Sequence, residues 1–410
     1  MPTSWILSFA TTLVIVLTLI GIAAGRFPRL RMNRTSIALV GATALILLGA
    51  ISLDDAYTAI DMNTILLLFA MMIINANLRL AGFFQLITAH VVRRARSARA
   101  LLGLIIFSSS LLSALFLNDT IVLIFTPMVI EICERLKRDP IPYLLGLVTA
   151  ANIGSVATVV GNPQNMIIGV ASGIPFWQFT VSLLPVALAG MLTIWLLLLA
   201  LYRQEFNTPL PSNVTLTVHT YAPLLRKGSL AAVLMIAAFV AGMPVPLAAA
   251  GAASLLLVTR RLKPRRIFIE VDGELLVFFA SLFIITGAIE RSSLGHAFTN
   301  FTLPLAAHSM AWLTAVAALL SNLISNVPAV LIFRGLIPQL PHPTQAWLTL
   351  AMATTFAGNL TLLGSVANLI VAETAARRGV HLKFMAYLRV GLPVTLLTLA
   401  IGVLWLNGLF

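Results

Sequence analysis

The feature that most constrains this chain is a succession of long apolar runs, each followed by a short cluster of charged residues. The first runs cover residues 5–25, 36–53 and 62–80. A helix of about 20 apolar residues spans the roughly 30 Å hydrocarbon core of a bilayer. The chain is 60% hydrophobic and only 10% charged, whereas a soluble domain carries about 25% charged residues. The sequence therefore predicts an all-α polytopic membrane protein embedded in the lipid bilayer and excludes a water-soluble one.

The charged clusters alternate in sign along the first spans, and this predicts their orientation. Basic clusters occupy residues 26–34 and 93–99, while the loop between them is acidic, with Asp54, Asp55 and Asp61. Because basic loops stay on the cytoplasmic side, we expect an inner-membrane protein with its N-terminus outside. The same clusters account for the net charge of +13, so nucleic-acid binding is not expected. Cys133 is the only cysteine, which excludes an internal disulfide.

Two apolar stretches are interrupted by polar residues. Residues 101–133 are divided by Asn118-Asp119-Thr120, and residues 309–340 are divided by Ser325-Asn326. The first stretch begins and ends beside basic residues, and its second arm is too short to span. This pattern predicts re-entrant hairpins whose tips lie inside the membrane. Irregular backbone at that depth is tolerated only where it lines an enclosed cavity.

Two other stretches, 142–172 and 347–376, predict broken helices because Gly, Asn and Pro interrupt them. The first is interrupted at 161–165 and the second at 358–359 and 364–365. Three residues of the first break recur in the second at a constant offset: Thr158, Gly161 and Asn165 match Thr361, Gly364 and Asn368. Counting membrane crossings places the ends of the first hairpin inside and those of the second outside. Duplicated units of opposite topology are typical of secondary transporters.

These elements divide the chain into two inverted-topology repeats and the segments that connect them. The predicted parts are N-terminal spans (1–60), a first repeat (61–203), a polar linker with Pro209 and Pro211 (204–227), a connecting helix pair (228–266) and a second repeat (267–410).

Asp119 is the only one of the 13 acidic residues that we expect at mid-membrane depth. A carboxylate there costs about 2.5–3.5 kcal/mol on insertion scales unless it is paired, hydrated or protonated. One interpretation is that Asp119 couples transport to protons or sodium. The other is that it caps the hairpin, since Asp and Asn suit turns and helix N-termini.

A broken helix leaves unpaired carbonyls at one half-helix end and unpaired N–H groups at the other. Carbonyls attract cations and N–H ends attract anions, so one site can hold both partners of coupled transport. The alternative is that Gly, Asn and Pro only kink the helix. The predicted substrate-binding residues are Asn118, Thr120, Gly161, Asn162, Asn165, Ser325, Asn326, Gly364, Ser365 and Asn368. The predicted coupling-ion residues are Asp119, Asn118, Thr158, Asn326 and Thr361.

Other polar residues in the apolar stretches have two interpretations each. Asn75, Asn77, Asn152 and Asn359 either line the pathway or join helices, since amides often bond across membrane helices. Arg334 either guides an anion or extends to the membrane interface. The sequence contains no catalytic motif, nucleotide-binding loop or metal-ligand spacing. We therefore expect no enzyme activity and no cofactor or metal, only a coupling ion.

The run Leu117-Asn118-Asp119-Thr120-Ile121-Val122-Leu123-Ile124-Phe125-Thr126-Pro127 resembles the first hairpin of the ion transporter superfamily. That superfamily includes ArsB-type arsenite/antimonite permeases, NhaD-type sodium/proton antiporters, citrate transporters and divalent-anion/sodium symporters. Residues 151–154, 161–165 and 364–368 resemble its broken-helix motifs. The Asn-Asp tip and the short length are most similar to the ArsB/NhaD side. The resemblance implies a fixed scaffold, a mobile transport domain holding both hairpins and both broken helices, elevator movement and a homodimer.

The expected function is secondary active transport of a small oxyanion or metalloid acid coupled to protons or sodium. The leading case is arsenite/antimonite efflux by proton exchange, for which the resemblance implies a soluble ATPase partner. The alternatives are sodium-coupled uptake of a dicarboxylate, citrate or sulfate, and sodium/proton antiport. A passive anion channel is the alternative from a different class.

Overall fold

The computed structural model describes residues 2–25, 31–207, 220–260 and 262–410. These residues form helices joined by short connections, and seven of the described helices are long and apolar enough to cross a membrane. The predicted all-α polytopic architecture is thereby confirmed. Arg26, Arg29, Arg261 and the linker prolines Pro209 and Pro211 lie outside the described residues.

The helices described in the first half of the chain include both arms of the predicted hairpin and of the predicted broken helix. They are α1 (Pro2–Ala24), α2 (Arg34–Leu47), α3 (Leu53–Ala59), α4 (Met62–Leu80), α5 (Phe83–Arg94), α6 (Ala98–Leu115), α7 (Asn118–Arg135), α8 (Pro140–Ser155), α9 (Pro163–Ser172), α10 (Phe176–Leu201) and α11 (Arg203–Asn207).

The second half repeats this order after a pair of connecting helices. Its described helices are α12 (Ala222–Val240), α13 (Val245–Leu257), α14 (Pro264–Phe268), α15 (Gly273–Glu290), α16 (Ser293–His308), α17 (Met310–Ile324), α18 (Asn326–Arg334), α19 (Pro343–Ala357), α20 (Val366–Ala376) and α21 (Phe384–Leu409), with a 3-10 turn at Ile337–Gln339.

Several boundaries differ from those expected from the sequence. Asn118, Asp119 and Thr120 form the first turn of α7 instead of a loop between the arms. The expected linker 204–227 contains most of α11 and the first residues of α12. Helix α16 was not expected from the sequence, and His308 is its last residue. Its apolar periodicity is interrupted by Pro304 and by polar residues, which explains why it reads as a loop in the sequence.

The two halves share helix lengths and proline positions that local sequence explains. Helices α10 and α21 both contain 26 residues, and each has a proline at its tenth position, Pro185 and Pro393. At 1.5 Å per residue such a helix is about 39 Å long, enough to cross a bilayer with some tilt. These two helices pack against each other and join the halves.

The hairpins and broken helices also pack across the two halves. Helix α7 of the first hairpin packs against α20, the second arm of the other half's broken helix. In the same way α18 of the second hairpin packs against α9. Because of this packing between the halves, helices α7, α9, α18 and α20 meet in one region of the molecule. Each of these helices begins at a hairpin tip or at a helix break.

Candidate functional site

The first hairpin tip is joined to the helix break in the same half of the chain. The backbone N–H of Asn118, where α7 begins, donates to the carbonyl of Gly161 at 3.0 Å. The side-chain amide of Asn118 donates to Oδ1 of Asn152 at 3.1 Å. The tip is therefore fixed both to the irregular segment between α8 and α9 and to α8 itself.

The second tip uses a different set of contacts for the same purpose. Ser321 donates to Oδ1 of Asn326 at 2.6 Å and to the carbonyl of Thr354 at 3.2 Å. Ser325, between the two arms, has φ of 83° and ψ of 155°, a backbone conformation that residues other than glycine rarely adopt. This backbone geometry turns the chain sharply, so that α18 can begin directly after α17.

Each broken helix is fastened by one asparagine. The amide of Asn165 donates to the carbonyls of Ser155 and Thr158 at 3.1 and 3.0 Å. The amide of Asn368 donates to the carbonyls of Gly358 and Thr361 at 2.7 and 2.9 Å. Both side chains are fully buried and satisfy carbonyls that the break leaves without helical partners. Their donors are thus used within the protein.

A buried amide network connects the two halves. Asn152 donates to Oδ1 of Asn359 at 2.9 Å and to Oδ1 of Asn368 at 3.1 Å. Asn359 in turn donates to the carbonyl of Thr149 at 3.3 Å. Of the two sequence interpretations, these contacts support helix joining for Asn152 and Asn359. Buried amides with several partners rigidify a polar core.

The two breaks differ in how tightly their glycines are packed. A Cβ atom on Gly161 would lie 2.3 Å from the carbonyl oxygen of Ser155 and 2.8 Å from that of Ser113. A Cβ on Gly364 would lie 2.9 Å from Oδ1 of Asn322 and 3.1 Å from the carbonyl of Gly358. Close backbone approach therefore requires glycine at the first break more strictly than at the second.

A cavity of about 190 Å³, here called the tip cavity, lies where both hairpin tips and both second half-helices begin. From these four helix starts its lining residues are Asn118, Asp119, Pro163, Gln164, Ser325, Asn326, Val327, Ser365 and Val366. The opposite wall comes from the first residues of α2 and α15, namely Arg34, Thr35, Asp272, Glu274, Leu275, Phe278 and Phe279. The structure therefore brings the two tips together, although 208 residues separate Asn118 from Asn326.

The tip cavity receives the N-terminal ends of α7, α9, α18 and α20. Each helix N-terminus carries roughly half a positive elementary charge from unpaired N–H groups, so four of them together attract negative charge or electron-rich oxygen. Asp119, in the first turn of α7, introduces a negative charge into this same region. The cavity can thus bind an oxygen-rich solute beside a carboxylate that accepts a proton or a cation.

A second cavity of about 200 Å³, here called the side cavity, adjoins the first on the side of α4. Its polar lining residues are Asn75, Arg79, Asp119, Thr120, Glu270 and Asp272. Asp119 and Asp272 line both cavities. The side chain of Asp119 is therefore shared between two chemically different spaces.

Five charged lining residues were not recognised as site residues in the sequence: Arg34, Arg79, Glu270, Asp272 and Glu274. They lie at helix ends, where a sequence suggests membrane-interface anchors, and only the tertiary structure turns them toward the tips. Arg79 and Glu270 form an ion pair. Asn33 donates to Glu274 at 2.8 Å, which joins the beginnings of α2 and α15. The sequence signal that could have identified these five residues is their position within a few residues of the end of a predicted span.

The remaining expected site residues lie away from the cavity linings. Thr158 donates to the carbonyl of Ala114, and Thr361 lies 3.5 Å from Oδ1 of Asn322. Asn162 caps α9 by accepting from the N–H of Asn165 at 2.9 Å. Gly161, Gly364, Asn165 and Asn368 form the support behind the tips. No group of three or more His, Cys, Asp or Glu side chains with metal-binding geometry occurs among the described residues.

At the other end of α4 and α15, the molecule is held together by ion pairs. Arg334, at the end of α18, lies 3.7 Å from Asp61, whose side chain is only 8% exposed. The Arg334 guanidinium also lies 6.0 Å from the ring centre of Phe283. Arg291 pairs with Asp55 at 3.1 Å. These contacts place Arg334 in an interface between the second hairpin and α4.

Comparison with known proteins identifies relatives along nearly the whole chain. Residues 12–357 match the citrate transporter family, CitMHS. The silicon efflux transporter LSI3 of Oryza sativa subsp. japonica is 31% identical over 449 aligned residues, which cover 92% of this chain and 93% of that protein. A transporter named arsB in Dictyostelium discoideum is 25% identical, with 96% of this chain and 91% of that protein covered.

The fold resembles that of solved membrane transporters at low sequence identity. The YdaH transporter of Alcanivorax borkumensis superimposes with a TM-score of 0.60 at 16% identity, over 99% of this chain and 97% of that one. MtrF of Neisseria gonorrhoeae, from a class of antimetabolite efflux pumps, gives a TM-score of 0.59 at 13% identity, over 98% and 94% of the two chains. These likenesses concern the fold alone.

Proposed function

This chain belongs to the citrate transporter family of the ion transporter superfamily and is a multi-pass membrane secondary transporter, and we propose that it exports a small hydroxylated inorganic acid. The leading substrates are arsenite and antimonite, with silicic acid as a chemically similar candidate. Export is driven by entry of protons or sodium ions. The silicon efflux activity in the name of one relative and the arsB name of another support this substrate class.

The observation that carries the proposal is the convergence of four helix N-termini and both hairpin tips on the tip cavity. Backbone N–H groups, the Asn118 and Asn326 amides and the Ser325 hydroxyl can donate to the oxygens of a compact solute. The Asp119 carboxylate can accept from a hydroxyl of an undissociated acid. A volume of about 190 Å³ suits a solute with one central atom and a few oxygens.

The charged wall of the cavity also favours a compact acid over a tricarboxylate. Of the charged residues that the structure describes in this lining, three are the acids Asp119, Asp272 and Glu274 and one is an arginine, Arg34. A tricarboxylate would bring its three negative charges close to these three carboxylates, and like charges in a confined site repel strongly. An uncharged or singly charged acid avoids most of this cost.

We propose that transport follows an elevator movement of two inverted repeats, with the hairpins and broken helices as the mobile unit. The matched fastening by Asn165 and Asn368 and the exchanged packing of α7 on α20 and α18 on α9 support a symmetric, rigid unit. Helices α2, α4 and α15 then form the fixed wall. A homodimer and a soluble ATPase partner belong to the same proposal and rest on the family resemblance alone.

A specific observation favours one other function, the uptake of citrate or another carboxylate with sodium. The matching family is described as citrate transporters, and Arg34 lines the tip cavity. Arginine binds carboxylates in a bidentate manner, so this residue could receive one carboxyl group of such a substrate.

The two functions separate in reconstituted vesicles. Purified protein in proteoliposomes is given arsenite, antimonite, silicic acid, citrate, succinate and sulfate under imposed proton or sodium gradients of either direction. Because the proposed mechanism is exchange, we expect a hydroxylated inorganic acid to accumulate inside the vesicles only when the cation gradient is directed outward, so that cation exit drives acid entry. Gradient-dependent citrate movement without transport of these acids would replace the proposal with the carboxylate alternative. Flux that ignores both gradients would indicate a channel.

The proposed orientation has its own test. We propose that the N-terminus lies outside an inner membrane and that Arg99 and Arg135 lie on one side, with His308 and His342 on the other. Cys133 is the only cysteine in the sequence and is fully buried. Single cysteines introduced at these four positions can therefore be labelled with little background reaction of the native thiol. Labelling of all four from the same side would contradict the inverted repeat.

A further inference from the structure

The side cavity shares Asp119 and Asp272 with the tip cavity that it adjoins, but the other groups of its lining differ. Each cavity is bordered by three carboxylates; those of the side cavity are Asp119, Glu270 and Asp272, and its described lining does not include the second hairpin tip. Among the described residues of this lining, Arg79 is the only arginine, and it is paired with Glu270. Within the same described lining, the carboxylates of Asp119 and Asp272 have no basic partner. The side cavity therefore attracts positive charge.

Asn75 adds an oxygen that accepts no hydrogen bond from the described part of the chain. Its side chain lines the side cavity and is only 2% exposed. Its amide nitrogen donates to Oγ1 of Thr120 at 3.4 Å, but its Oδ1 has no hydrogen-bond partner among the described residues. A buried acceptor without a partner carries the full desolvation cost of that group. An oxygen kept at that cost beside carboxylates indicates a ligand that needs oxygen.

We propose that the side cavity binds the coupling cation as sodium, held by Oδ1 of Asn75, the hydroxyl of Thr120 and the carboxylate of Asp119. This inference deepens the proposed function. Sodium binding is argued from the cavity itself, and only the role of the bound sodium in driving transport rests on the proposed function. Hard cations prefer carboxylate, carbonyl and water oxygens. A proton would need a single acceptor, whereas here oxygens from α4 and α7 face one space. About 200 Å³ also leaves room for several waters at roughly 30 Å³ each.

The shared position of Asp119 gives this site a means of coupling. Sodium on one side of the carboxylate occupies oxygens that would otherwise accept from a hydroxyl of the solute on the other side. Binding of either partner therefore weakens binding of the other by the same factor, as exchange requires. The charged groups that face this carboxylate through the two cavities are Arg34, Arg79, Glu270, Asp272 and Glu274.

Two asparagines on α4 supply a matched pair for the experiment. Asn75 and Asn77 are both buried, and the Oδ1 atoms of both lack a partner among the described residues. Asn77 donates to the carbonyl of Ile73 at 2.9 Å and lines neither cavity. Asn75→Ala and Asn77→Ala therefore remove the same group from the same helix, but only the first change removes a proposed ligand.

Binding of radioactive sodium to the purified protein in detergent, at fixed pH with choline as the replacement cation, measures the site without transport. We expect Asn75→Ala to raise the sodium dissociation constant at least about tenfold, the usual cost of losing a group that supports an ion site. Asn77→Ala should leave it unchanged. Thr120→Val should weaken sodium binding because it removes the hydroxyl, whereas Thr120→Ser should retain it. This second pair of variants keeps the test valid if Asn75→Ala folds poorly.

Four outcomes would overturn the sodium site: no saturable sodium binding, unchanged binding in Asn75→Ala, equal losses in the two asparagine variants, or unchanged binding in Thr120→Val. Sodium binding with the expected pattern, in a protein that moves none of the hydroxylated acids, would support the cation site and refute the proposed substrate. The two failures are therefore distinguishable. Flux that responds to pH but not to sodium would also refute the assignment.

Discussion

The two hairpins share a construction, but their tips differ in chemistry. In both, the second arm begins at an asparagine, Asn118 or Asn326, and the tip is hydrogen-bonded to the broken helix of its own half of the chain. The residue that follows is Asp119 in the first tip and Val327 in the second. The two halves therefore share the support, while an ionisable side chain is present at only one of the two corresponding positions. This asymmetry is the reason for proposing that coupling occurs at the first tip.

The largest expected effect sharpens the comparison between the two breaks. Gly161→Ala should prevent accumulation of folded protein, because its Cβ would overlap the backbone carbonyl of Ser155 at 2.3 Å. Gly364→Ala should fold, because its nearest neighbour at 2.9 Å is the side chain of Asn322, which can move. Overpacking costs about 1–3 kcal/mol or more. Size-exclusion profiles and thermal melting in detergent measure both. Equal stability of the two variants would show that the breaks are equivalent.

The next effect concerns the charge that only the first tip carries. Asp119→Asn should keep the fold and lose gradient-driven accumulation, because an amide cannot exchange a proton and supplies less charge to a cation. Val327→Ala, at the equivalent position of the second tip, serves as the control and should retain accumulation. The measurement is solute uptake in proteoliposomes with and without the cation gradient. Undiminished gradient-driven flux in Asp119→Asn would leave Asp119 as a hairpin cap only.

A smaller effect follows from the backbone of the second tip. Ser325 has φ of 83°, whereas the equivalent Leu117 has φ of −60°. Ser325→Gly should stabilise the protein by about 1 kcal/mol because glycine adopts this conformation without strain. It should also weaken solute binding, since the lining loses a hydroxyl. Melting temperature and the solute KM report the two effects. A lower melting temperature would show that the hydroxyl contributes more to stability than the strain costs.

The smallest effect concerns the ion pair of the second hairpin with α4. Arg334→Gln and Asp61→Asn should each destabilise the protein slightly, and the double variant should recover part of the loss. A coupling energy of about 0.5–1 kcal/mol is expected for a pair that is partly exposed. A double-mutant cycle on thermal stability at low and high salt measures it. Strictly additive losses would remove this pair from the contacts that hold the second hairpin.

The sequence by itself determined the class of protein and the position of its irregular elements. Apolar runs, basic clusters and polar interruptions are local features, and the bilayer requires every backbone group in a span to be satisfied nearby. Hence both hairpins and both breaks could be located within a few residues. Helix α16 was missed because Pro304 and the polar residues around it weaken the apolar periodicity that identifies a helix in a sequence. In the folded protein the segment is helical nevertheless, because contacts with other helices stabilise it.

Tertiary structure alone decided what the polar residues do. Asn165 and Asn368 have the motif positions of ligands, yet their amides fasten the breaks, because the carbonyls they satisfy are brought within reach only when the half-helices fold together. Arg34, Glu270 and Asp272 have the positions of interface residues, yet they line the cavities. Whether a side chain binds protein or solute depends on which groups from distant segments surround it. A sequence shows directly only the local pattern of residues. Which helix ends meet, and therefore which side chains face a cavity, depends on how distant helices pack in the whole fold.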